Sequence, residues 1–332
     1  METSRSALAG RRVLITGGHG LLGSAVAGAM LGAGADVALL SRQAHPEGEG
    51  PPGRPGIQES CRELQADVCD PVAVAVAYAD AAPEVVIHLA GVAAVGQAAL
   101  APREAVISSV TGTVNVLEEA RSAGVGAVLV ASSDKAYGAS DRLPYTEEMP
   151  LRPKFPYEAA KAAADVVARS YWHSYGLPVA VVRSANLYGP GDRNRSRLVP
   201  GTVAAILAGS SPVVRSDGSP ERDYLFVADA ARAYVALAEA LLAGHGAGEP
   251  FNVGSGVPRT ALEVVGRLLE IDGGELRATV EGEGVPSGEI ARQCLDWSKL
   301  AALTGWSPRT GLDEGLAQTL AWYRDHPAAL AS

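Results

Sequence analysis

An α/β fold built on a doubly wound parallel sheet is the structure that the sequence predicts, and two observations lead to it. Short, continuously apolar runs alternate with segments of helical periodicity over the first half of the chain. Strands buried on both faces have this pattern, because helices cover both sides of a parallel sheet. A glycine-rich stretch at residues 17–23 lies between the first run and the first helix, where a tight turn is required.

The predicted elements follow one another in a regular order. Residues 11–16 form a strand, residues 21–33 a helix and residues 36–41 a second strand, which together make a βαβ unit. Residues 43–60 are rich in Pro, Gly and Glu and are predicted to form an exposed loop. The alternation then resumes, with strands at 85–89, 127–131 and 179–183 and helices at 109–123 and 157–175.

The regular alternation weakens after residue 186, and we predict a smaller lobe of mixed α and β structure there. Helices are predicted at 200–209, 229–242 and 261–269, and the second of these is expected to pack back on the first lobe. The chain therefore divides into a Rossmann-type lobe, residues 1–185 plus about 227–255, and a lobe on the C-terminal side, residues 186–226 and 256–330.

Composition argues against several classes of function. The formal net charge of −9 opposes a general nucleic-acid-binding surface, because such a surface needs Lys and Arg to displace counterions from phosphates. No stretch approaches the length of a membrane span, and the first ten residues lack the apolar region of an export signal. Cys61, Cys69 and Cys294 have no metal-ligand spacing. We therefore expect a cytoplasmic protein with reduced cysteines, no metal, no membrane contact and no nucleic-acid partner.

Glycines at positions 17, 20 and 23 predict a binding site for the pyrophosphate of a dinucleotide. They allow a tight turn, close approach of the backbone to the anion, and close packing of helix on strand. The helix start then presents N–H groups and the positive end of its dipole. A turn that serves only packing is the alternative. The candidate cofactor-binding residues are Gly17, His19, Gly20, Leu21, Leu22 and Gly23, joined by Leu89, Ala90 and Gly91 after a later strand.

Residues after the second strand bear on the choice between NAD and NADP. An acidic residue commonly binds the adenosine ribose 2′-hydroxyl at this place, whereas this chain has Ser41 and Arg42. These side chains suit the 2′-phosphate of NADP, but an arginine can equally stack on the adenine ring. Asp67 and Val68 follow the next strand and are candidates for contact with adenine, with an ordinary strand-end aspartate as the alternative.

Tyr157 and Lys161 form the candidate catalytic pair. They stand four residues apart at the start of a predicted helix and therefore share one face of it. A free phenol has a pKa of about 10, and a neighbouring cation favours the phenolate. Such a base can take a hydroxyl proton while hydride leaves the same carbon for a nicotinamide ring. We predict that both residues also contact the cofactor.

These motifs together resemble the extended short-chain dehydrogenases/reductases, the family of nucleotide-sugar epimerases and dehydratases. The segments that carry the resemblance are GGHGLLG at 17–23, HLAG at 88–91, ASSDKAYG at 131–138, PYEAAK at 156–161, RSANLYGPGD at 183–192 and RDYLFVAD at 222–229. The resemblance implies a Rossmann lobe and a second lobe that binds a nucleotide-sugar. It also implies a cofactor retained through turnover, usually NAD, and a homodimer built from helices that include the Tyr157 helix.

Residue roles also follow from the resemblance. Ser133 would hydrogen-bond the reacting sugar oxygen, Tyr157 would be the base, and Lys161 would tune the base and bind the ribose. Four further residues would bind the substrate and its diphosphate: Asn186, Arg197, Arg222 and Arg292. Arginine suits a diphosphate because its fork of N–H donors matches phosphate oxygens.

The reaction within this family depends on Asp134 and Lys135, the two residues after Ser133. A 4,6-dehydratase needs an acid and a base there to expel water across C5 and C6, whereas a 4-epimerase needs only an inert wall. The order Ser-Asp-Lys resembles the CDP-glucose 4,6-dehydratases and implies that Asp134 and Lys135 are catalytic. If Lys135 instead stays charged and paired with Asp134, 4-epimerisation is the better interpretation. A third hypothesis is a non-catalytic NAD(P)-sensing protein, although such proteins typically lose the tyrosine or the lysine.

Overall fold

A computed structural model describes residues 6–43, 60–286 and 288–330 of the protein. Its strands, in chain order, are β1 (Arg12–Thr16), β2 (Asp36–Ser41), β3 (Cys61–Gln65), β4 (Val85–His88), β5 (Ala127–Ser133), β6 (Val179–Ser184), β7 (Asn186–Tyr188), β8 (Val213–Val214), β9 (Glu221–Phe226), β10 (Pro250–Val253), β11 (Pro258–Thr260) and β12 (Thr279–Val280).

The helices are α1 (Leu21–Gly32), α2 (Pro71–Ala81), α3 (Val95–Leu100), α4 (Pro102–Val106), α5 (Gly112–Ser122), α6 (Pro156–Tyr175), α7 (Leu198–Leu207), α8 (Val227–Leu242), α9 (Ala261–Asp272), α10 (Ser298–Thr304) and α11 (Leu312–Asp325). A π-helical turn at Ile107–Thr111 joins α4 to α5, and 3-10 turns lie at Asp134–Tyr137 and Pro327–Leu330.

The largest sheet in the described part of the chain has seven parallel strands in the order β10-β6-β5-β4-β1-β2-β3. β4 and β6 are buried at every residue, as their continuous apolar runs predict. The chain builds outward from β1 to β2 and β3, then returns to place β4 on the other side of β1. The strand order therefore reverses between β1 and β4, and ligands of open α/β sheets bind outside the carboxyl ends of the strands at such a point.

Helices cover both faces of this sheet. α1 and α8 pack together on one face, where Val26, Met30 and Leu237 join the strand residues in the apolar core. α2, α5 and α6 cover the other face, where Val74 and Leu117 are fully buried. The doubly wound Rossmann-type arrangement is therefore confirmed, as is the packing of the helix predicted at 229–242 on the first lobe.

The residues after β6 contribute a smaller mixed unit. β9 pairs with β7 in parallel and with β11 in antiparallel fashion, and β8 pairs with β12. α7, α9 and α11 enclose a separate apolar cluster that includes Val203, Leu268 and Leu320. The chain returns to the large sheet for α8 and β10, so the two units are joined at several crossings.

Most predicted elements are present with small shifts at their ends. The strand predicted at 36–41 is β2, and the helix predicted at 157–175 begins one residue earlier, at Pro156. The helix predicted at 109–123 differs more, because the π-helical turn occupies its start and α5 begins only at Gly112. Residues 44–59, most of the loop predicted at 43–60, lie outside the described residues.

Two searches of the described ranges bear on membranes and metals. None of the helices there has the length and apolar character needed to cross a bilayer. Nor do three or more His, Cys, Asp or Glu side chains in those ranges lie together in a way that could hold a metal ion.

Candidate active site

A cavity of about 670 Å³ opens at the carboxyl ends of the central strands, with walls from both units of the fold. The walls come from the glycine-rich turn, the segment after β4, the end of β5, the start of α6, the chain around β7 and part of β9. Many of the residues singled out from the sequence meet here: Gly17, His19, Gly20, Leu21, Leu22, Gly23, Leu89, Gly91, Ser133, Lys135, Tyr157, Lys161, Asn186, Arg197 and Arg222.

The glycine-rich turn makes contacts that side chains would block. Gly17 has φ +71°, and a Cβ atom at Gly23 would lie 2.3 Å from the Gly17 carbonyl oxygen. Gly20 is the N-cap residue of α1, so no capping side chain covers the helix start. Gly20 lines the cavity, which provides open space in front of the helix, and a Cβ atom there would make only an ordinary contact, 3.4 Å from the Gly17 carbonyl oxygen. The N–H groups and the dipole at this helix start suit an anionic pyrophosphate.

His88 ties the segment after β4 to the end of β1. Thr16 Oγ1 accepts hydrogen bonds from the N–H groups of Leu89 and Ala90 at 3.2 and 3.1 Å. Because both of its lone pairs are used, Thr16 donates its own proton to His88 Nδ1 at 2.7 Å. His88 Nε2 therefore carries the ring proton and donates to Thr113 Oγ1 at 3.1 Å. A neutral His88 thus fixes the segment that forms one wall of the cavity.

The dependence of stability on pH, compared between the wild type and a His88→Asn variant, tests whether His88 is neutral. Burial, and secondarily the nearby Lys161, lower the pKa of His88 to about 3, whereas an unfolded histidine has a pKa of about 6.5. Because the unfolded chain binds a proton that the folded protein excludes, stability falls as the pH drops below about 6.5 and goes on falling toward pH 3. We expect His88 to account for a loss of about 2 kcal/mol between about pH 6.5 and pH 5, and His88→Asn to remove that part of the slope in urea unfolding.

His173→Asn is the matched control, because His173 is exposed on α6. This variant is expected to keep the wild-type dependence of stability on pH. A His88→Asn variant with the same slope as the wild type would contradict a neutral, proton-excluding His88.

The first turn of α6 places Tyr157 and Lys161 in the cavity. Pro156 occupies the first helical position, and the Glu158 carboxylate accepts hydrogen bonds from the two backbone N–H groups just before the helix, at 2.7 and 3.3 Å. This cap fixes the residue at which the helix begins. Tyr157 and Lys161 then lie one turn apart on the face that lines the cavity.

The electrostatics of the pair differ from the prediction that Lys161 makes the phenol acidic. Burial raises the pKa of Tyr157 above its usual value, and the interaction with Ser133 lowers it in part. The Asp134 carboxylate adds to the increase in the pKa of Tyr157, and Arg197 opposes it. Burial also lowers the pKa of Lys161 to about 8, and Lys161 Nζ donates to a backbone carbonyl oxygen of β5 at 3.3 Å. Ionisation of this phenol therefore calls for more positive charge than these side chains supply.

The end of β5 brings Ser133, Asp134 and Lys135 together. Ser133 Oγ donates to Asp134 Oδ1 at 2.9 Å and accepts from the Lys135 backbone N–H at 3.2 Å. Lys135 Nζ donates to Asn186 Oδ1 at 2.8 Å and lies 3.5 Å from Asp134 Oδ1. Asp134 is buried, and its Oδ2 atom has no hydrogen-bond partner among the described residues. The ammonium therefore makes its shorter contact with an amide, and one oxygen of the buried carboxylate has no partner among the described residues.

Arg222 and Arg197 bring positive charge to the part of the cavity wall that the second unit contributes. Arg222 is buried, and its guanidinium donates to two backbone carbonyl oxygens and, at 2.9 Å, to Glu289 Oε2. Arg197 pairs with Asp192 Oδ2 at 3.1 Å. With Asn186 these residues form a polar surface to which a diphosphate could bind.

Asp134, which is 1% exposed, does not line the cavity itself and lies behind Ser133 and Lys135, which do. Nor do six other predicted residues line it among the described ones: Ser41, Arg42, Asp67, Val68, Ala90 and Arg292. Arg292 is the clearest case, because its side chain is 64% exposed and its Nε donates to Glu221 Oε2 at 2.7 Å. The others lie at or just beyond the ends of β2, β3 and β4 and make local contacts. Ser41 Oγ donates to the Gln43 carbonyl oxygen, for example, and Asp67 Oδ1 accepts from the Cys69 N–H. Their predicted contacts with cofactor or substrate remain predictions.

The cavity also contains residues that were not singled out from the sequence. Arg193 and Asn194 follow β7, Tyr224 lies on β9, and Glu289 pairs with Arg222. The run of arginines around residue 195 was a sequence signal for the first of these. Tyr224 belongs to the RDYLFVAD segment at 222–229, but the sequence does not place it or Glu289 in the wall, because their position depends on how the small unit folds.

Open space at a helix start, with a tyrosine and a lysine facing the same cavity, is characteristic of a dinucleotide-dependent α/β enzyme. Sequence comparison narrows this class. The profile of the NAD dependent epimerase/dehydratase family matches residues 13–254. The chain belongs to that family, and the resemblance drawn from its motifs is confirmed.

Both 4,6-dehydratases and 4-epimerases are among the relatives that the chain resembles. The dTDP-glucose 4,6-dehydratase of Streptomyces griseus is 31% identical and covers 95% of this chain and 94% of its own. The UDP-glucose 4-epimerase of Mycolicibacterium smegmatis is 32% identical and covers 95% of this chain and 99% of its own. A dTDP-glucose 4,6-dehydratase double mutant from Streptomyces venezuelae, solved with NAD bound, is 29% identical with a TM-score of 0.82, and the match covers 96% of this chain and 98% of that one. Sequence identity over the whole chain therefore does not distinguish a 4,6-dehydratase from a 4-epimerase here.

Proposed function

We propose that the protein is a nucleotide-sugar 4,6-dehydratase, acting on a CDP-glucose-like NDP-hexose through a transient 4-keto sugar with NAD retained. The observation that carries this proposal is the pair Asp134 and Lys135 beside Ser133, with Asp134 Oδ2 left without a protein partner among the described residues. Epimerisation needs only an inert wall at this place. A buried polar atom without a partner requires an explanation, and a small rotation of Asp134 toward the cavity, past the Lys135 ammonium 3.5 Å away, would bring it to the departing hydroxyl group of the sugar.

The residues of the cavity fit a nicotinamide dinucleotide. The open space at Gly20 would take the pyrophosphate, and Tyr157 and Lys161 would hold the nicotinamide ribose. NAD is favoured over NADP by the family and by the relative solved with NAD, and Ser41 and Arg42 do not line the cavity. A bound NAD would supply positive charge near the phenol and a hydride acceptor for C4, and its reduced form would supply the hydride for C6.

Oxidation at C4 is the first half of the proposed reaction. Ser133 would hydrogen-bond the O4 atom of the sugar, and Tyr157 would take the proton from that hydroxyl. Lys161, with a pKa of about 8, carries positive charge at neutral pH. This charge and that of a bound NAD would together have to offset the burial that raises the pKa of Tyr157. Both side chains line the same wall of the cavity as Ser133.

Elimination of water across C5 and C6 is the second half. The C4 ketone acidifies the hydrogen on C5, and Lys135, in its neutral form or through a water that it orients, would remove that hydrogen as a proton. Asp134, in its protonated form, would donate a proton to the departing C6 oxygen. The proton on Lys135 would then return to C5, giving a 4-keto-6-deoxy sugar.

Epimerisation at C4 is the second candidate, and one contact favours it. Lys135 donates to Asn186 Oδ1 and lies within 3.5 Å of Asp134 Oδ1, an arrangement that suits a charged ammonium. A charged lysine cannot act as a base. In that case Tyr157 and Ser133 would oxidise C4, and the sugar would turn over before reduction.

The fold suggests how substrate and cofactor divide between its units. The Rossmann-type lobe, residues 1–185 plus about 227–255, would bind NAD, and residues 186–226 and 256–330 would bind the nucleotide-sugar. Exposed apolar side chains on neighbouring α4, the π-helical turn and α6, namely Val106, Ile107 and Val166, support the predicted homodimer through these helices. A cytoplasmic location belongs to the same proposal.

Mass spectrometry of products from a panel of nucleotide-hexoses tests the proposal. We expect the purified protein to convert one of them to a product lighter by one water molecule. A product of unchanged mass with a new configuration at C4 would overturn the dehydratase and support the epimerase. Lys135→Met is expected to lower the rate of water loss at least about tenfold, and unimpaired turnover of this variant would remove Lys135 from the mechanism.

A further inference from the structure

A fully buried ion pair joins α6, the helix that carries Tyr157 and Lys161, to the neighbouring strand β6. Arg183 on β6 and Asp165 on α6 are 1% and 0% exposed, and they form two hydrogen bonds, from Nε to Oδ2 at 2.8 Å and from Nη2 to Oδ1 at 3.0 Å. Asp165 lies one helical turn beyond Lys161 and two beyond Tyr157, on the same face of α6. Burying two charges costs desolvation free energy even when they are paired. We therefore expect the pair to have a role other than stability.

The third partner of this pair is Tyr137, the last residue of the 3-10 turn Asp134–Tyr137. Arg183 Nη1 donates to the Tyr137 phenol oxygen at 2.9 Å, and that phenol donates to Asn252 Oδ1 at 2.7 Å. The guanidinium carbon of Arg183 also lies 4.8 Å from the centre of the Tyr137 ring. One phenol oxygen therefore connects the turn that carries Asp134 and Lys135 directly with β6 and β10, and through Arg183 and Asp165 with α6.

Tyr137 is held by packing as well as by hydrogen bonds. Its ring stacks on that of Tyr145 with the centres 4.9 Å apart, and the Tyr145 phenol donates to the Gly138 carbonyl oxygen at 2.7 Å. Burial raises the pKa of Tyr137 to about 12 despite the nearby Arg183, so the phenol keeps its proton and remains a donor to Asn252. These contacts fix the position of the Tyr137 side chain and do not suit a group that transfers protons.

We propose that Tyr137 is a positioning residue. Its phenol oxygen, held by Arg183 and Asn252, fixes the turn that carries Asp134 and Lys135 relative to α6, the helix that carries Tyr157 and Lys161. The inference rests on the proposed function, because the two groups of residues serve the two halves of one reaction. Reactive groups must be held within about 0.5 Å of their working geometry, and a misplacement of about 1 Å can cost about 100-fold in rate. Tyr137 therefore acts first on elimination, the step that Asp134 and Lys135 serve, and less on oxidation at C4, which it reaches only through the contacts of Ser133 with the turn.

Tyr137→Phe tests this positioning role, because it removes one oxygen atom and keeps the ring stack and the Arg183–Asp165 pair. We expect kcat to fall about 10- to 100-fold with KM nearly unchanged, and reduced nicotinamide to accumulate during turnover because oxidation still proceeds. Tyr78→Phe is the matched control, since Tyr78 is equally buried and donates one hydrogen bond to a backbone carbonyl oxygen far from the cavity. This control is expected to turn over like the wild type.

Two further measurements separate positioning from a general loss of structure. Hydrogen–deuterium exchange of the amides of residues 135–138 is expected to be faster in Tyr137→Phe than in Tyr78→Phe, and this readout needs no substrate. In a Lys135→Met background the effect of Tyr137→Phe on kcat is expected to shrink to the part that acts through Asp134, because Tyr137 acts through the turn that carries both residues. If Tyr137→Phe does not fold, Asn252→Ala removes the acceptor of the same phenol and takes its place in both measurements.

The inference is overturned if Tyr137→Phe turns over and exchanges like Tyr78→Phe, or if its effect on kcat persists in full in the Lys135→Met background. Failure of the proposed function has a different signature. In that event the wild type releases no water from any nucleotide-hexose, and the exchange measurement alone decides whether Tyr137 holds the turn.

Discussion

Replacing Tyr157 with phenylalanine is expected to lower turnover of the sugar by about 10²- to 10⁴-fold, the range that a positioned acid or base contributes. Tyr157 is the residue at the start of α6 that lines the cavity beside Ser133 and Lys161. Oxidation at C4 requires removal of the hydroxyl proton as hydride departs, and a phenylalanine ring cannot accept it. The measurement is single-turnover formation of reduced nicotinamide, which reports oxidation before any later step.

The control for this variant is Tyr175→Phe, at the other end of the same helix. Tyr175 is 60% exposed, and its ring packs edge-on against Tyr171. It is expected to leave turnover unchanged, and both variants are expected to unfold near the wild-type temperature. A Tyr157→Phe variant that still oxidises the sugar at the wild-type rate would show that another group takes the proton.

Replacing Gly23 with alanine is expected to damage both the fold and cofactor binding. The new Cβ atom would lie 2.3 Å from the Gly17 carbonyl oxygen and 2.7 Å from the Gly18 Cα atom, so the turn and the start of α1 must move apart. We expect stability to fall by about 3 kcal/mol, the upper part of the usual range for an overpacked site. Each hydrogen bond to a charged group contributes about 1.5 to 3 kcal/mol, so loss of one bond to the pyrophosphate lowers NAD affinity by about 10- to 100-fold.

Gly32→Ala provides the comparison within the same helix. Gly32 is exposed at the end of α1, and a Cβ atom there would meet nothing within 4 Å. Alanine is a better helix former than glycine by about 1 kcal/mol, so this variant is expected to be neutral or slightly stabilised and to bind NAD normally in calorimetric titration. Normal NAD affinity in Gly23→Ala would mean that the pyrophosphate does not lie at the start of α1.

The parts of the fold and site that could be predicted from the sequence are those set by local patterns. The runs that became β2 and β6 are apolar over lengths too short for helices, and the spacing of Tyr157 and Lys161 places them on one helical face wherever the helix lies. The glycine-rich turn is predictable for the same reason, since the close approach of Gly23 to the Gly17 carbonyl oxygen is made within seven residues.

The remaining features depend on contacts between distant parts of the chain. Arg292 and Arg222 look alike in the sequence, yet one pairs with Glu221 on the surface and the other is buried in the cavity wall. The neutral state of His88 follows from bonds to residues 72 and 25 positions away. The Arg183–Asp165 pair likewise forms only when α6 packs on β6, so no local pattern identifies it.

The fate of the hydrogen at C4 of the sugar tests the central claim most directly. A nucleotide-hexose that the protein converts would be prepared with deuterium at C4, and the product analysed by mass spectrometry and NMR. Loss of one water molecule, with the deuterium now in the methyl group at C6, is the result that a dehydratase with Tyr157, Asp134 and Lys135 predicts. Deuterium retained at C4 of a product that has lost no water would contradict it.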